Sequence, residues 1–85
     1  MVGRDNVVGQ AVAERIRELC IKEGITLNKL SIISGVNQST LNSIISGVSK
    51  SPRVSTVKKV CDGLEITINE FFDSPLFQNL DQEIK

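Results

Sequence analysis

The chain has no histidine, tryptophan or tyrosine, and only two cysteines, two prolines and three phenylalanines among its 85 residues. Without histidine, and with Cys20 and Cys61 far apart, no metal-ligand spacing exists, so neither a metal nor another cofactor is expected. Both cysteines fall on apolar positions of predicted helices, which reads as reduced core thiols in a cytoplasmic protein. No run of about 18 apolar residues exists to cross a membrane. The opening M-V-G-R-D-N-V-V-G-Q has no apolar core ahead of a small-residue cleavage site, which argues against secretion. There is no Gly-rich phosphate loop, and no general base stands beside the Ser-rich centre. The expectation is therefore a protein that is not an enzyme and has no small-molecule substrate.

Acidic residues are the most informative absence. No Asp or Glu occurs between Glu23 and Asp62, a window that holds Lys29, Lys50, Arg53, Lys58 and Lys59. The net charge of zero hides an asymmetry: residues 1–64 carry nine basic and five acidic side chains, residues 65–85 one basic and five acidic. An acid-free surface is what a phosphate backbone requires.

What is present is helical. Val8, Val12, Ile16, Leu19 and Cys20 recur at steps of three and four, predicting a first helix from about Asn6 to Glu23, capped by Asp5 or Asn6 and ended by Gly24. Arg15, Arg17, Glu14, Glu18 and Lys22 mark its wet side, with Glu18 and Lys22 at favourable i,i+4 spacing. Further helices are expected at about 27–34, 38–46 and 54–63, the last with Val54, Val57, Val60 and Cys61 inward. A fifth opens at I-T-I-N-E-F-F-D, where Thr67 and Glu70 have capping-box spacing, and Ser74-Pro75 starts one more short turn. At this length the chain supports one modest core, burying roughly 60–70% of the unfolded surface. The organisation read from it is an all-α domain over 1–74 and a short C-terminal extension over 75–85.

The chain is organised around T-L-N-K-L-S-I-I-S-G-V-N-Q-S-T-L-N-S-I-I-S-G, residues 26–47. Thr26 and Asn37 suit the N-caps of two short helices, Gly35 a sharp turn between them, and Gly47 the end of the second. Leu41, Ile44 and Ile45 form an apolar face opposite an uncharged polar one. Ile32 and Ile33 cannot both be buried by so short a helix, so at least one should meet a later segment or a partner chain. Helix, glycine turn and helix is the layout of a helix-turn-helix.

With I-R-E-L at 16–19, G-I-T-L at 24–27, L-S at 30–31, G-V-N-Q-S-T-L at 35–41, S-G at 46–47, Pro52 and L-E-I-T-I-N-E-F-F at 64–72, the chain resembles the Cro/repressor-type, or lambda-repressor-like, helix-turn-helix family over roughly Val8 to Asp73. The resemblance implies a five-helix lambda-repressor-like DNA-binding domain that acts on double-stranded DNA, as a homodimer on a palindromic operator. It places base contacts at Asn37, Gln38, Ser39, Thr40, Asn42 and Ser43, whose amide and hydroxyl groups suit base edges, although an ordinary solvated face capped by Asn37 would look the same. It places phosphate contacts at Thr26, Lys29, Lys50 and Arg53. The apolar C-terminal end, with Phe72, Leu76, Phe77 and Leu80, is expected at the dimer interface, and Phe71 in the core.

Three departures from the family pattern matter. An arginine late in the first helix and a glutamate near the end of the third, often paired in the interior, are replaced by Cys20 and Ile45. Replacing both together avoids the roughly 3–5 kcal/mol cost of an unpaired buried charge, so these two side chains are expected to touch, both buried. Leu27 stands where many members carry a glutamine that contacts a phosphate and the third helix, so that contact should be missing or altered. Glu65 replaces the glycine after the fourth helix; either it adopts the left-handed conformation or Gly63 ends the helix early. A different reading of the same residues is a protein-interaction module, antitoxin-like or recruiting a protein partner, suggested by the zero net charge, the uncharged third helix and the apolar tail.

Overall fold

The computed structural model describes residues 7–47 and 52–78. Among them are six helices and no strand: α1 (Val7–Glu23), α2 (Leu27–Ser34), α3 (Gln38–Ser46), α4 (Val54–Leu64), α5 (Ile68–Phe72) and α6 (Pro75–Gln78). The five expected helices are all present, and the turn begun by Ser74-Pro75 forms the sixth. Asp5, Asn6, Lys50 and Leu80 lie outside the described residues.

Local chemistry sets most boundaries. α1 ends in a Schellman motif: Gly24 lies at φ 67°, its N–H donates to Ile21 O at 3.1 Å, and the Ile25 N–H donates to Cys20 O at 2.9 Å. α4 ends the same way without a glycine. Glu65 sits at φ 61°, ψ 41°, its N–H donates to Asp62 O at 3.2 Å, and the Ile66 N–H donates to Cys61 O at 3.0 Å. Ile25 and Ile66, one residue past each left-handed position, both pack against the core. Glu65 therefore takes the left-handed conformation and Gly63 does not end the helix, at a cost of about 1 kcal/mol relative to glycine. Thr67 and Glu70 form the reciprocal capping box at α5, with Thr67 Oγ1 accepting from Glu70 N at 3.0 Å and Glu70 Oε1 from Thr67 N at 2.9 Å.

The core joins Val12, Ile16 and Leu19 of α1 with Leu30, Leu41, Val57, Val60 and Phe71, and Val36 of the turn. Three expectations about α1 and α4 are corrected. Val54 is 78% exposed and Val8 39%, because each is near the start of its helix, beyond the reach of the core. They line an apolar cleft shared with Val12, Pro52, Val57 and Phe72. Arg15 is not on the wet side. Its Nε and Nη2 donate to Phe71 O and Glu70 O, both at 2.7 Å, tying α1 to the C-terminal carbonyls of α5. Glu18 pairs with Arg15 Nη1 at 2.8 Å, where a pair with Lys22 was expected.

α2 and α4 approach each other closely at Gly63. A Cβ on Gly63 would lie 2.7 Å from Ser34 Cα and 2.9 Å from the carbonyl carbon and oxygen of Ile33. These are backbone atoms of α2, which no side-chain rotation can clear. Alanine is favoured over glycine inside a helix by about 1 kcal/mol, but here overpacking dominates. Gly63→Ala should destabilise the fold by about 1–3 kcal/mol in urea denaturation. A variant as stable as the parent would show that the two helices can separate freely.

Candidate nucleic-acid interface

Two caps and one turn place α3. Thr26 Oγ1 accepts from Lys29 N at 3.1 Å and starts α2. Gly35, at φ 73° and ψ 11°, ends it by donating its N–H to Ser31 O. Ser34 Oγ then accepts from Val36 N at 3.2 Å, and the Val36 side chain is buried in the core. Asn37 starts α3: its Oδ1 accepts from Ser39 N at 3.1 Å and Ser39 Oγ at 3.0 Å. The turn is thus pinned between two caps by one apolar plug, which leaves α3 a single direction relative to α2.

α3 is anchored from below by Leu41 and Ile44. The opposite side presents Gln38, Ser39, Thr40 and Asn42, all exposed, with Asn37 exposed at the entry. Ser43 is half-buried, and its carbonyl accepts from Ser46 Oγ at 3.3 Å, so it stands at the margin of the group. Asn37 and Ser39 already share hydrogen bonds in the cap. Gln38 is held differently: its Oε1 accepts from Asn28 Nδ2 at 2.8 Å, an exposed bond between α2 and α3. Asn28 was missed in the sequence. Leu27 does not make the link to the third helix, but its neighbour does, and an amide in the first turn of α2 ten residues before Gln38 was the available signal.

Exposed cations stand at the starts of α2 and α4. Lys29 is exposed on the first turn of α2. Arg53 is the exposed N-cap residue of α4 and makes no side-chain capping bond, so its guanidinium is not spent on the helix start. Lys58, by contrast, is paired with Asp62 four residues on. Arg17 bonds Glu14 Oε2 at 2.9 Å and the Ile45 carbonyl near the end of α3 at 3.0 Å. Its position was unremarkable in the sequence, yet it supports the C-terminal end of α3.

Cys20 and Ile45 line one apolar hollow of about 270 Å³ with Arg17, Ile21 and Leu27. Cys20 is buried, as expected, but Ile45 is only half-buried, so full burial of the pair is not observed. The hollow has no charged pair at its centre; Arg17 at its edge turns to a carbonyl and to Glu14. Burial pushes both the Cys20 and Cys61 thiols above the usual cysteine range, which keeps them protonated and unreactive at neutral pH. Among the described residues no cluster of ligating side chains could hold a metal. No described helix is long and apolar enough to cross a membrane.

At the C-terminal end Phe71 is fully buried, while Phe72 is 39% exposed. Leu76 is half-buried, and Phe77 packs against the core. The Phe72 and Phe77 rings meet edge-on, centroids 4.8 Å apart. Phe77 is therefore partly committed within the chain, and Phe72 is the aromatic residue that faces outward.

A capped helix, a left-handed glycine turn and a second helix with an outward polar face define a helix-turn-helix domain. Residues 15–75 match the model of the Cro/C1-type HTH DNA-binding domain, and the chain belongs to that family. It is 37% identical over 62 residues to YopO of Bacillus subtilis (strain 168), a prophage-derived HTH-type transcriptional regulator, covering 73% of this chain and 87% of that one. It is 40% identical over 53 residues to the HTH-type transcriptional regulator SlrR of the same organism, covering 62% of this chain but 35% of SlrR, so the match spans about a third of that relative. Among solved structures, the prophage Lp1 protein 11 superposes with a TM-score of 0.74 at 39% identity, over 81% of this chain and 91% of that one. An HTH_3 family transcriptional regulator from Vibrio cholerae gives a TM-score of 0.76 at 28% identity, over 85% of this chain and 40% of that one. The chain therefore carries a Cro/C1-type DNA-binding domain, and the two Bacillus subtilis relatives are HTH-type transcriptional regulators.

Because Asn37 joins the turn to α3, Asn37→Ala should lower stability by about 1 kcal/mol in thermal unfolding. An unchanged midpoint would mean that Val36 alone holds the turn.

Proposed function

We propose that the protein is a sequence-specific repressor that binds as a dimer to a palindromic operator, reading bases with the N-terminal half of α3. The observation that carries this reading is the exposed, uncharged polar face of α3, held rigidly by the Asn37 cap and the Asn28 bond. Its amides and hydroxyls match the donor and acceptor pattern of base edges in the major groove. Gln38, Thr40 and Asn42 are the leading base contacts, with Asn37 and Ser39 at the helix entry and Ser43 at the margin. Thr26, Lys29 and Arg53 stand at the starts of α2 and α4 and approach phosphates, where helix N-termini favour anions; Lys50 is assigned the same role by its place in the sequence. A single α3 reads too few base pairs for useful specificity, which supports a two-fold dimer on half-sites about 34–36 Å apart. Phe72 is the centre of the proposed dimer surface. Val8, Pro52 and Val54 beside it extend the apolar face, with Leu76, Phe77 and, from the sequence, Leu80 behind.

A second reading, a module that binds a protein partner, draws on the isoleucines: Ile21 is 80% exposed and Ile32 68%. Selection from random duplexes separates the two. Enrichment of one palindromic sequence supports the regulator reading. No enrichment at low salt, with a stoichiometric protein co-purifying, supports the other.

Two outcomes follow from the assigned roles. In mobility-shift titrations Gln38→Ala should weaken operator binding by about 1–3 kcal/mol while nonspecific binding holds, whereas Arg53→Ala should weaken binding to every sequence and lower the salt slope by about 1. Equal losses on operator and random DNA for Gln38→Ala would remove it from the base contacts. Phe72→Glu should leave the fold intact by circular dichroism and shift sedimentation on operator DNA from two protomers to one. Two protomers retained would place the dimer surface elsewhere.

A further inference from the structure

Ile21, in the last turn and a half of α1, is 80% exposed, although the residue before it, Cys20, is buried. It stands on the wall of the apolar hollow of about 270 Å³ that Cys20, Leu27 and Ile45 also line, with Arg17 at the edge. A projecting apolar side chain beside an apolar recess is self-complementary. In a pair related by a two-fold axis, each chain's Ile21 lies against the other's hollow. The neighbouring charges have the same property. Glu18 and Lys22 are both exposed, and at i,i+4 spacing they share one flank of α1 beside Ile21. They do not pair with each other. Glu18 bonds Arg15 at 2.8 Å, and Lys22 makes no ion pair among the described residues. Two copies of α1 packed antiparallel, crossing at residues 20–21, bring the Glu18 of each beside the Lys22 of the other. Any other protein would have to supply this pattern of knob, recess and paired charges; a second copy already has it.

We propose that a second copy of this chain docks at the hollow by antiparallel pairing of the α1 ends, and that the pair withholds the DNA-facing side of the domain. Leu27 and Ile45 belong to the two helices of the helix-turn-helix, and Leu27 adjoins Thr26 at the start of α2. A copy seated on the hollow covers the start of α2, so a phosphate cannot approach Thr26. The withholding rests on the reading of α2 and α3 as the DNA-facing helices; the pairing itself does not. The surface is separate from the one around Phe72. α1 lends Val8 and Val12, from its first half, to the cleft at Phe72, and Cys20 and Ile21, from its last turns, to the hollow. A contact centred on one side chain and two rim ion pairs is small, so the pairing is weak and depends on concentration. DNA and a second copy then compete for the same chain.

Sedimentation of the full chain without DNA, over a range of concentrations, tests the pairing, with Phe72→Glu as the background so that the other apolar surface is removed. This background chain should pair reversibly. Adding Ile21→Glu should leave the fold intact by circular dichroism and give a monomer at every concentration. Adding Glu18→Lys instead should weaken the pairing by about tenfold, because like charges then meet in both symmetry-related pairs. Adding Lys22→Glu to that chain restores opposite charges and should recover the pairing to within about threefold of the background. A background chain that stays monomeric would overturn the proposal and leave the hollow to a different protein. Pairing that survives Ile21→Glu, or a double exchange that pairs no better than Glu18→Lys alone, would overturn it as well. A duplex carrying one half-site of the selected operator, titrated into the paired background chain, should convert it to one protomer per duplex. Two protomers on that duplex, still dependent on Ile21, would overturn the withholding of the DNA-facing side. A chain that selects no DNA would overturn the reading of α3 and the withholding with it, while the pairing stands or falls on sedimentation alone.

Discussion

The backbone-to-backbone approach of α2 and α4 at Gly63 is the constraint on which the rest of the molecule depends. With no Cβ to separate them, the end of α2 lies directly against α4, with Ser34 and Ile33 facing Gly63. That seat fixes where the end of α2 lies on α4, and the turn that Gly35 begins one residue later inherits its position. Val36 then drops into the core and Asn37 opens α3. The direction in which Gln38, Thr40 and Asn42 point is thus set by a contact on the far side of α2. Close-packed interiors transmit such constraints because they have few voids to absorb a shift.

A second tie closes the molecule from the other end. Arg15 reaches from the middle of α1 to two carbonyls at the end of α5, 55 and 56 residues away in sequence. α5 is only one turn and a half long, too short to be stable alone. Its capping box satisfies its start and Arg15 its finish, so both ends of a marginal helix have partners. The three phenylalanines gathered there then have a fixed platform.

What could be read in the sequence divides by range. Caps and stops are decided by neighbours, and Thr26, Gly35, Asn37, Gly47 and Thr67 with Glu70 are all as the residue types suggested, while the left-handed Glu65 is one of the two alternatives that the sequence left open. Periodicity found the inward sides of Val12, Ile16, Leu19, Leu41, Ile44, Val57 and Val60. It misplaced Val8 and Val54, because period alone does not say where along a helix the core ends. It also put Arg15 on the solvent side, because a charged residue is taken as wet unless its distant partner is known. Gly63 was weighed only as a helix terminator, since a close approach by α2 leaves no trace in the nearby residues. The polar face of α3 was legible, and Asn28 was not, because its importance lies in one bond to another helix and in no property of its own position.

The outward side of α3 contributes nothing to the core, and its residues are small, uncharged and exposed. Substitutions at such surface positions usually change stability by less than about 0.5 kcal/mol. The surface that α3 presents and the integrity of the fold are therefore separable traits: Thr40 or Asn42 can drift to new residues without passing through an unfolded intermediate. Position 38 is different. Joined to position 28 by a hydrogen bond, it is coupled to α2, so a substitution at either position alters the surroundings of the other.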